Sequence, residues 1–225
     1  MKPAHIYKKG DAENLFYCWF SAMHTRVDIL FQGAGSESSY SNIAEEIKQR
    51  IDEIESIGNC FNPQSELSKY NCGRLKQSSL SQELRHILEL CNYWKQKTDG
   101  LFDVAYEGNI NLSGFLKGYT LDTIRPILTK HNIHSALINM GNSSILGIGR
   151  QSPDCDGWKV KNISGEEYLL RNQCLTTSGN DSPDRMHIFN PATGKYVEGK
   201  RSVSVVTIGG AEGEVMATVS FIMGA

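Results

Sequence analysis

Apolar residues recur along this chain at two different spacings, and together these predict strands and helices in a mixed order. Two aromatic and β-branched runs at 15–22 and 26–33 are separated by a short turn, which predicts a pair of strands. Over 40–58 isoleucines then recur every three or four residues with charged residues between them. This spacing predicts an amphipathic helix that ends near Gly58.

Turn residues divide the next part of the chain into further helices. The polar segment 59–68 contains an Asn-Pro turn, after which Ser65 is predicted to cap a short helix. The pattern Ser79-Leu80-Ser81-Gln82 is typical of a capping box and predicts a second long helix that ends at the turn 98–100. A glycine-containing turn then opens a third helix within 111–122.

The second half of the chain is richer in strand patterns than in helix patterns. A last helix is predicted over 213–223. Strands are predicted at 136–140, 145–148, 158–163, 168–174 and 202–208. Because strand pairs and helices do not alternate regularly, we expect an α+β fold with a mixed or antiparallel sheet and packed helices. No repeat or low-complexity segment divides the chain, so 1–225 is expected to form one compact domain or two intimately packed subdomains.

Charge and composition exclude several classes of partner. The 225 residues are 40% hydrophobic and 21% charged, with a formal net charge of -2, so nucleic acid is not an expected partner. No apolar run is long enough for a transmembrane segment. The apolar run 15–20 is too short for the core of a signal peptide and follows the acidic residues Asp11 and Glu13, so a strand is predicted instead. As written, the chain is therefore expected to be cytoplasmic.

The six cysteines do not follow a metal-binding pattern. They form no C-x-x-C pair and do not lie near histidines at zinc-finger spacing, which argues against a structural zinc. Their even number permits disulfides. Cys91, however, falls on the apolar face of a predicted helix, which favours a buried, reduced thiol.

A histidine in the second half is the first candidate for chemistry. His187 lies between apolar neighbours and is followed by Pro191 and a Thr-Gly pair that restrict the backbone. The hydroxyl and N–H groups of Thr177-Ser178-Gly179 can donate to phosphate oxygens while His187 transfers a proton. The alternative is a structural histidine whose ring is satisfied beside a turn.

Two helix starts carry further candidates. Lys117 and Asp122 fall in the first turns of the third helix, where backbone N–H groups and the helix dipole favour phosphate. Glu214 and Thr218 lie one turn apart on the last helix and offer the hard oxygen ligands that Mg²⁺ prefers. The alternatives are a solvated surface lysine at Lys117 and, at Glu214, a carboxylate that complements a helix dipole.

Taken in order, these segments resemble those of the ApbE family, the FAD:protein FMN transferases. The family's Met-Gly-Thr, Tyr-Asp-Pro-x-Ser-Glu-Leu-Ser and Gly-x-Phe-Asp segments look like residues 23–25, 61–68 and 100–103. Its Asp-Leu-Gly-Gly-x-x-Lys-Gly-Tyr-x-x-Asp and Ala-Leu-Val-Asn-Leu-Gly-Gly segments are similar to 111–122 and 136–142. Its Thr-Ser-Gly, His-Ile-x-(Asp/Asn)-Pro-x-Thr-Gly and Ala-Asp-Ala-Leu-Ser-Thr segments resemble 177–179, 187–194 and 213–218.

The resemblance implies an ApbE-like (T-fold-like) architecture and a flavin transferase. FMN would pass from FAD to a Ser or Thr hydroxyl of an acceptor flavoprotein, and AMP would leave, with Mg²⁺ on the pyrophosphate and His187 assisting removal of the hydroxyl proton. Family members are often periplasmic or membrane-anchored lipoproteins. The FAD site implied by the resemblance comprises Met23, Phe61, Leu101, Phe102, Asp103, Asn111, Lys117 and Ile188. The Mg²⁺ site implied in the same way comprises Glu214 and Thr218 with backbone near Gly114 and Ala217.

Some positions depart from the family's pattern and keep other functions open. Asn111 replaces an aspartate, Glu214 replaces the usual aspartate, and the family's longer segment between Asp103 and Asn111 is nearly absent. One alternative is therefore a protein that binds FAD without transferring FMN. Another is an FAD pyrophosphatase in which the same metal and base activate water. A purely structural role is least favoured, because several polar residues at loop–helix junctions would then have no explanation.

Overall fold

The computed structural model describes residues 3–11, 13–106, 108–180 and 186–224. The strands are β1 (Ala4–Lys8), β2 (Asn14–Ala22), β3 (Thr25–Gly33), β4 (Ala136–Met140), β5 (Ser144–Ile148), β6 (Trp158–Lys161), β7 (Glu167–Leu170), β8 (Gln173–Asn180), β9 (Phe189–Asn190), β10 (Lys195–Tyr196) and β11 (Arg201–Thr207). The helices are α1 (Glu37–Gly58), α2 (Glu66–Asn71), α3 (Gln82–Lys97), α4 (Leu116–Lys130) and α5 (Gly210–Met223), with a 3₁₀ helix at Gln77–Ser79.

Seven strands form the main sheet, in the order β1-β2-β3-β4-β5-β8-β11. Every neighbouring pair in this sheet is antiparallel. Two small antiparallel ribbons, β6–β7 and β9–β10, form separate sheets that do not pair with it. The α+β class with an antiparallel sheet is therefore confirmed.

The hairpin register brings several turns to one end of the main sheet. The β2–β3 turn precedes Val27, which pairs with Met140 immediately before the β4–β5 turn. Ser144, just after that turn, pairs with Thr176 on β8, so the last residues of β8 also extend beyond this end. Residues far apart in sequence therefore lie close together at one end of the main sheet.

Helices α1 and α4 cover the sheet. Ile47 and Ile51 of α1 are fully buried with Leu121 and Ile124 of α4 against the inner face of the strands. A second apolar cluster joins the end of α1 to α2, α3 and α5 and includes Phe115, the residue just before α4. The predicted amphipathic helix is thus confirmed, and it begins at Glu37, where Ser36 caps it.

Local turn chemistry corrects two of the predicted boundaries. The predicted strand 168–174 is wrong, because Asn172 adopts a left-handed conformation (φ 57°) and separates β7 from β8. The capping serine of α3 is Ser81, whose Oγ accepts a hydrogen bond from the Leu84 N–H, rather than Ser79, which ends the 3₁₀ helix.

The last helix begins three residues earlier than the sequence predicted. The carboxylate of Asp122 on α4 accepts hydrogen bonds from the N–H groups of Gly210 and Ala211, at 2.7 and 2.9 Å. A side chain from another helix therefore caps α5, and local sequence does not reveal such a contact.

The structure also bears on the predictions about thiols and membranes. All six cysteines fall within the described residues and are free thiols, and Cys91 is buried as expected. Across the described ranges, no helix is both long enough and apolar enough to cross a bilayer.

Candidate functional site

A cavity of about 810 Å³ lies at the end of the sheet where the turns gather. It is bounded by the β4–β5 turn, the end of β8, the N-terminal turns of α4 and α5, and the segments near 101–114 and 187–189. The predicted site residues that line it are Phe61, Leu101, Phe102, Asp103, Asn111, Gly114, Lys117, Thr177, Ser178, Gly179, His187, Ile188, Glu214 and Thr218.

A neighbouring cavity of about 470 Å³ contains another predicted residue. Met23 lines it, together with Phe61 and Lys117, which the two cavities share. Among the residues described, Asp122 and Ala217 line neither cavity, since Asp122 caps α5 and Ala217 is fully buried. Ligand contact by these two residues stays a prediction.

Glu214 projects from the second turn of α5 into the buried side of the main cavity. It is 5% exposed, and its Oε1 accepts a hydrogen bond of 2.6 Å from the Ser144 Oγ. Burial raises the pKa of Glu214, and the Lys117 charge and hydrogen bonds from Ser144 and the Gly118 backbone oppose that rise. The first-turn acid of α5 is Glu212, so complementing the helix dipole falls to Glu212 rather than to Glu214.

Lys117 is the second residue of α4 and is half-buried. Its Nζ donates a hydrogen bond to the Ser143 Oγ in the β4–β5 turn. The carbonyl of Ser143 in turn accepts from the N–H of Thr177 at 2.8 Å. The lysine is therefore tied to the same wall as the Thr177-Ser178-Gly179 segment, and the alternative of a freely solvated surface lysine does not describe it.

The oxygen atoms on this wall fit a hard divalent cation. Thr218 lies one turn beyond Glu214, and its Oγ1 is 3.4 Å from the Ser178 Oγ. In the described part of the chain, no group of three or more His, Cys, Asp or Glu side chains could hold a metal. The donor set on this wall consists of one buried carboxylate and hydroxyls, which suits Mg²⁺ because that ion commonly keeps waters or substrate phosphates as its other ligands.

His187 lines the same cavity from a segment outside the main sheet. Its side chain is exposed, whereas the next residue, Ile188, is buried and accepts a hydrogen bond from the Val197 N–H at 2.8 Å. The ring of Phe189 stacks on Tyr106, with centroids 4.5 Å apart and an interplanar angle of 15°. This stack joins the histidine segment to the segment that follows Asp103.

Several predicted FAD contacts also have partners within the protein. Asn111 Oδ1 accepts from the Ser113 N–H at 3.0 Å, and Asp103 pairs with Lys95 at 2.7 Å. Phe61 is 68% exposed, which leaves much of its ring free to pack on a ligand.

Sequence reasoning missed some residues of the site. Tyr106 and Ser144 belong to no recognisable motif. A single aromatic residue in a loop and a serine at the start of a strand are common in every protein, so neither could be singled out from the sequence. His24 lies inside the Met23-His24-Thr25 segment, for which the resemblance implies a ligand contact at Met23 alone. Its departure from the family's glycine was the signal that could have singled it out.

Comparison with known proteins identifies the family and the fold. The sequence model of the ApbE family matches residues 23–115 and 106–225. No curated protein matches the chain. The solved flavin transferase ApbE from Vibrio cholerae is similar, with a TM-score of 0.74, 16% identity, and coverage of 98% of this chain and 87% of the other. The apo flavinyl transferase ApbE from Pseudomonas stutzeri gives a TM-score of 0.82 at 13% identity, covering 96% and 88%.

A third solved structure, the ApbE protein from Thermotoga maritima, gives a TM-score of 0.75 at 18% identity and covers 93% of this chain and 87% of the other. At these identities the structural likenesses show the fold. The family match spans most of the sequence, from the β2–β3 turn to the last residue. The chain belongs to the ApbE family.

Proposed function

We propose that this protein transfers FMN from FAD to a Ser or Thr hydroxyl of an acceptor flavoprotein and releases AMP. The observation that carries the proposal is that Lys117, Glu214 and His187 line one cavity although they come from three separate parts of the chain. The family membership and the likeness to two solved relatives, a flavin transferase and a flavinyl transferase, support the same reaction.

The proposed reaction forms a bond between the acceptor oxygen and the FMN phosphorus, and breaks the P–O bond to AMP. The leaving AMP keeps the bridging oxygen, and the proton of the acceptor hydroxyl passes to His187 and then to solvent or AMP. A hydroxyl needs such a base because it is a poor nucleophile at neutral pH. His187 suits this role because it is exposed at the cavity, where an acceptor side chain can reach it.

The opposite wall would hold the diphosphate bridge. Lys117 supplies a positive charge and the start of α4 supplies backbone N–H groups, both of which stabilise charge on phosphate oxygens. Glu214 and Thr218, with backbone near Gly114 and Ala217, would hold Mg²⁺. When bound, that ion would neutralise charge on the bridge as the P–O bond breaks. Phe61, Leu101 and Phe102 would give the rings of FAD apolar walls.

The direct test is to incubate the protein with FAD, Mg²⁺ and a candidate acceptor. Flavin fluorescence on the acceptor band together with released AMP supports the transferase. AMP without labelled acceptor favours FAD hydrolysis. Tight retention of FAD with neither product favours the non-transferring alternative, which the departures at Asn111 and Glu214 motivate.

His187→Ala separates chemistry from binding. We expect transfer to fall by about a hundredfold or more, with FAD affinity little changed, because a general base is lost and few binding contacts are. His134→Ala is a matched control, since this exposed histidine precedes the opposite end of β4. Transfer that survives in His187→Ala would show that the proposed base is wrong.

Glu214→Gln tests the cation. We expect Mg²⁺ to tighten FAD binding by the unchanged protein, and this dependence on Mg²⁺ to weaken in the variant, because an amide is a poorer ligand than a carboxylate. Fluorescence titration of FAD with and without Mg²⁺ measures both. Equal Mg²⁺ dependence in the two proteins would remove Glu214 from the metal site.

A further inference from the structure

The β2–β3 hairpin is closed by two residues in an unfavourable backbone conformation. Met23 and His24 have φ values of 49° and 57°, the left-handed region, and neither is glycine. Two-residue hairpin turns of this kind favour Asn-Gly, because a side chain in the left-handed region costs roughly 1–2 kcal/mol. A residue kept in such a conformation beside a cavity suggests that its side chain has a use there.

Hydrogen bonds around the hairpin define the state of the His24 ring. The Asn59 Oδ1 accepts from the Phe61 N–H at 2.9 Å, so its Nδ2 faces the other way and lies 3.3 Å from the His24 Nε2. Because an amide NH₂ group only donates, this contact assigns Nε2 as the acceptor and places the proton of the neutral ring on Nδ1. The Asn59 Nδ2 also lies 3.4 Å from the Glu55 Oε1, which restrains the amide further.

His24 is exposed and lines the 470 Å³ cavity that adjoins the main one. The rings of Phe61 and His24 are nearly perpendicular, with centroids 6.4 Å apart and an interplanar angle of 84°. Since Phe61 and Lys117 line both cavities, a molecule held at the main site can extend one end into this space. The end that suits these walls is a planar ring, which packs on Phe61 and offers an acceptor atom to an N–H donor.

We propose that His24 is a specificity-determining residue that donates its Nδ1–H to a carbonyl oxygen or ring nitrogen of a bound heteroaromatic ring. This inference rests on the proposed function, because FAD carries two rings of that chemistry, isoalloxazine and adenine. The structure assigns the ring class, and binding of the two halves of FAD tells which ring it is.

The experiment compares the unchanged protein with His24→Gly and His24→Asn by fluorescence titration with FAD and by competition with FMN and with ADP. Glycine removes the donor and relieves the backbone, so we expect an equal or higher melting temperature together with about fivefold weaker FAD binding. The same loss should appear for FMN or for ADP, but not for both. Asparagine tolerates the left-handed conformation and carries an amide donor, so it should recover part of the affinity.

The control is His134→Ala, which should change neither binding nor specificity. Unchanged FAD affinity in His24→Gly would overturn the inference while leaving the proposed function intact. Equal weakening of FMN and ADP, or a fall in stability that parallels the loss of affinity, would show a structural role instead and would also overturn it. If the unchanged protein does not bind FAD, the inference and the proposed function fail together.

Discussion

The two sides of the main cavity are built in different ways. On one side, α4 and α5 pack so closely that a Cβ added at Gly118 would lie 2.2 Å from the Gly210 carbonyl oxygen. Glu214 and Ser144 are buried in this wall. On the other side, His187 sits on a segment beyond the main sheet, and the short β9–β10 ribbon and the Phe189–Tyr106 stack support it.

This difference matches the two tasks in the proposed reaction. A charged diphosphate bridge is best stabilised by groups that are already fixed, because no reorganisation is then needed as charge develops. An acceptor protein must insert a side chain, which is easier where the wall is formed by loops. We therefore expect substitutions in the α4–α5 wall to affect stability, and substitutions on the His187 side to affect turnover.

The largest expected effect is that of Gly118→Ala. The new methyl group would lie 2.2 Å from a backbone oxygen of α5 and 2.5 Å from the Glu214 Cγ, so the two helices must separate. We expect the free energy of unfolding to fall by about 3 kcal/mol, as overpacked sites commonly do, measured by urea denaturation.

Gly114→Ala is the matched control for stability. A Cβ added at Gly114 meets no heavy atom within 4 Å, so the free energy of unfolding should change by less than about 0.5 kcal/mol. Equal stability of both variants would show that the α4–α5 wall is less tightly packed than we infer.

The next largest effect is expected at Asp122. Asp122→Ala removes both hydrogen bonds to the start of α5, and we expect a loss of about 1–2 kcal/mol in urea denaturation, as for other helix caps. Asp122→Asn keeps one acceptor and should lose less. A variant that retains its stability but binds FAD more weakly would instead favour direct ligand contact by Asp122.

On the opposite side, Tyr106→Ala should act mainly on turnover. Loss of the ring stack releases the segment that carries His187, at a cost of about 1 kcal/mol to local order. We expect kcat for transfer to fall about fivefold with little change in FAD affinity.

Tyr106→Phe keeps the ring and should restore turnover. Tyr93→Ala is the control, since this tyrosine is 49% exposed and packs against Trp94 on α3, away from the main cavity. A large drop in FAD affinity in Tyr106→Ala would mean that the tyrosine binds the flavin itself rather than supporting the His187 segment.

Local burial patterns explain which parts of the fold could be predicted from the sequence. Regular apolar spacing predicted α1 and the β2–β3 hairpin, because burial of one face imposes that spacing. Strand β1 escaped notice because most of its side chains are exposed at the edge of the sheet. The start of α5 was misplaced because the group that caps it, Asp122, belongs to α4.

For the site, motifs gathered from the resemblance predicted most of the residues that line the main cavity. They did not reveal pairings between distant segments, such as Tyr106 with Phe189 or Ser144 with Glu214. Such contacts depend on how the segments pack in three dimensions, and neither local spacing nor residue type carries that information.

The last prediction concerns the rates at which individual cysteines are alkylated, which report how readily the protein opens around each thiol. Cys174 on β8 is buried, and burial raises its pKa to about 12, so its reaction requires unfolding of the wall. Burial also raises the pKa of Cys60, but this thiol is only half-buried and its Sγ lies 3.5 Å from the Asn111 Oδ1. Cys72 is exposed, and a hydrogen bond from Arg74 lowers its pKa, so it serves as a fast internal reference.

With iodoacetamide at mildly alkaline pH, mass spectrometry should show Cys72 reacting first, Cys60 next and Cys174 far more slowly. FAD should slow Cys60 selectively, because Asn111 lines the proposed FAD site next to it. If Cys60 and Cys174 reacted at one common rate, the wall around Cys174 would open as readily as the surface around Cys60, against the rigidity that we infer for it. If they differ but FAD changes neither rate, the rigidity of the wall around Cys174 stands and the placement of FAD against Asn111 does not.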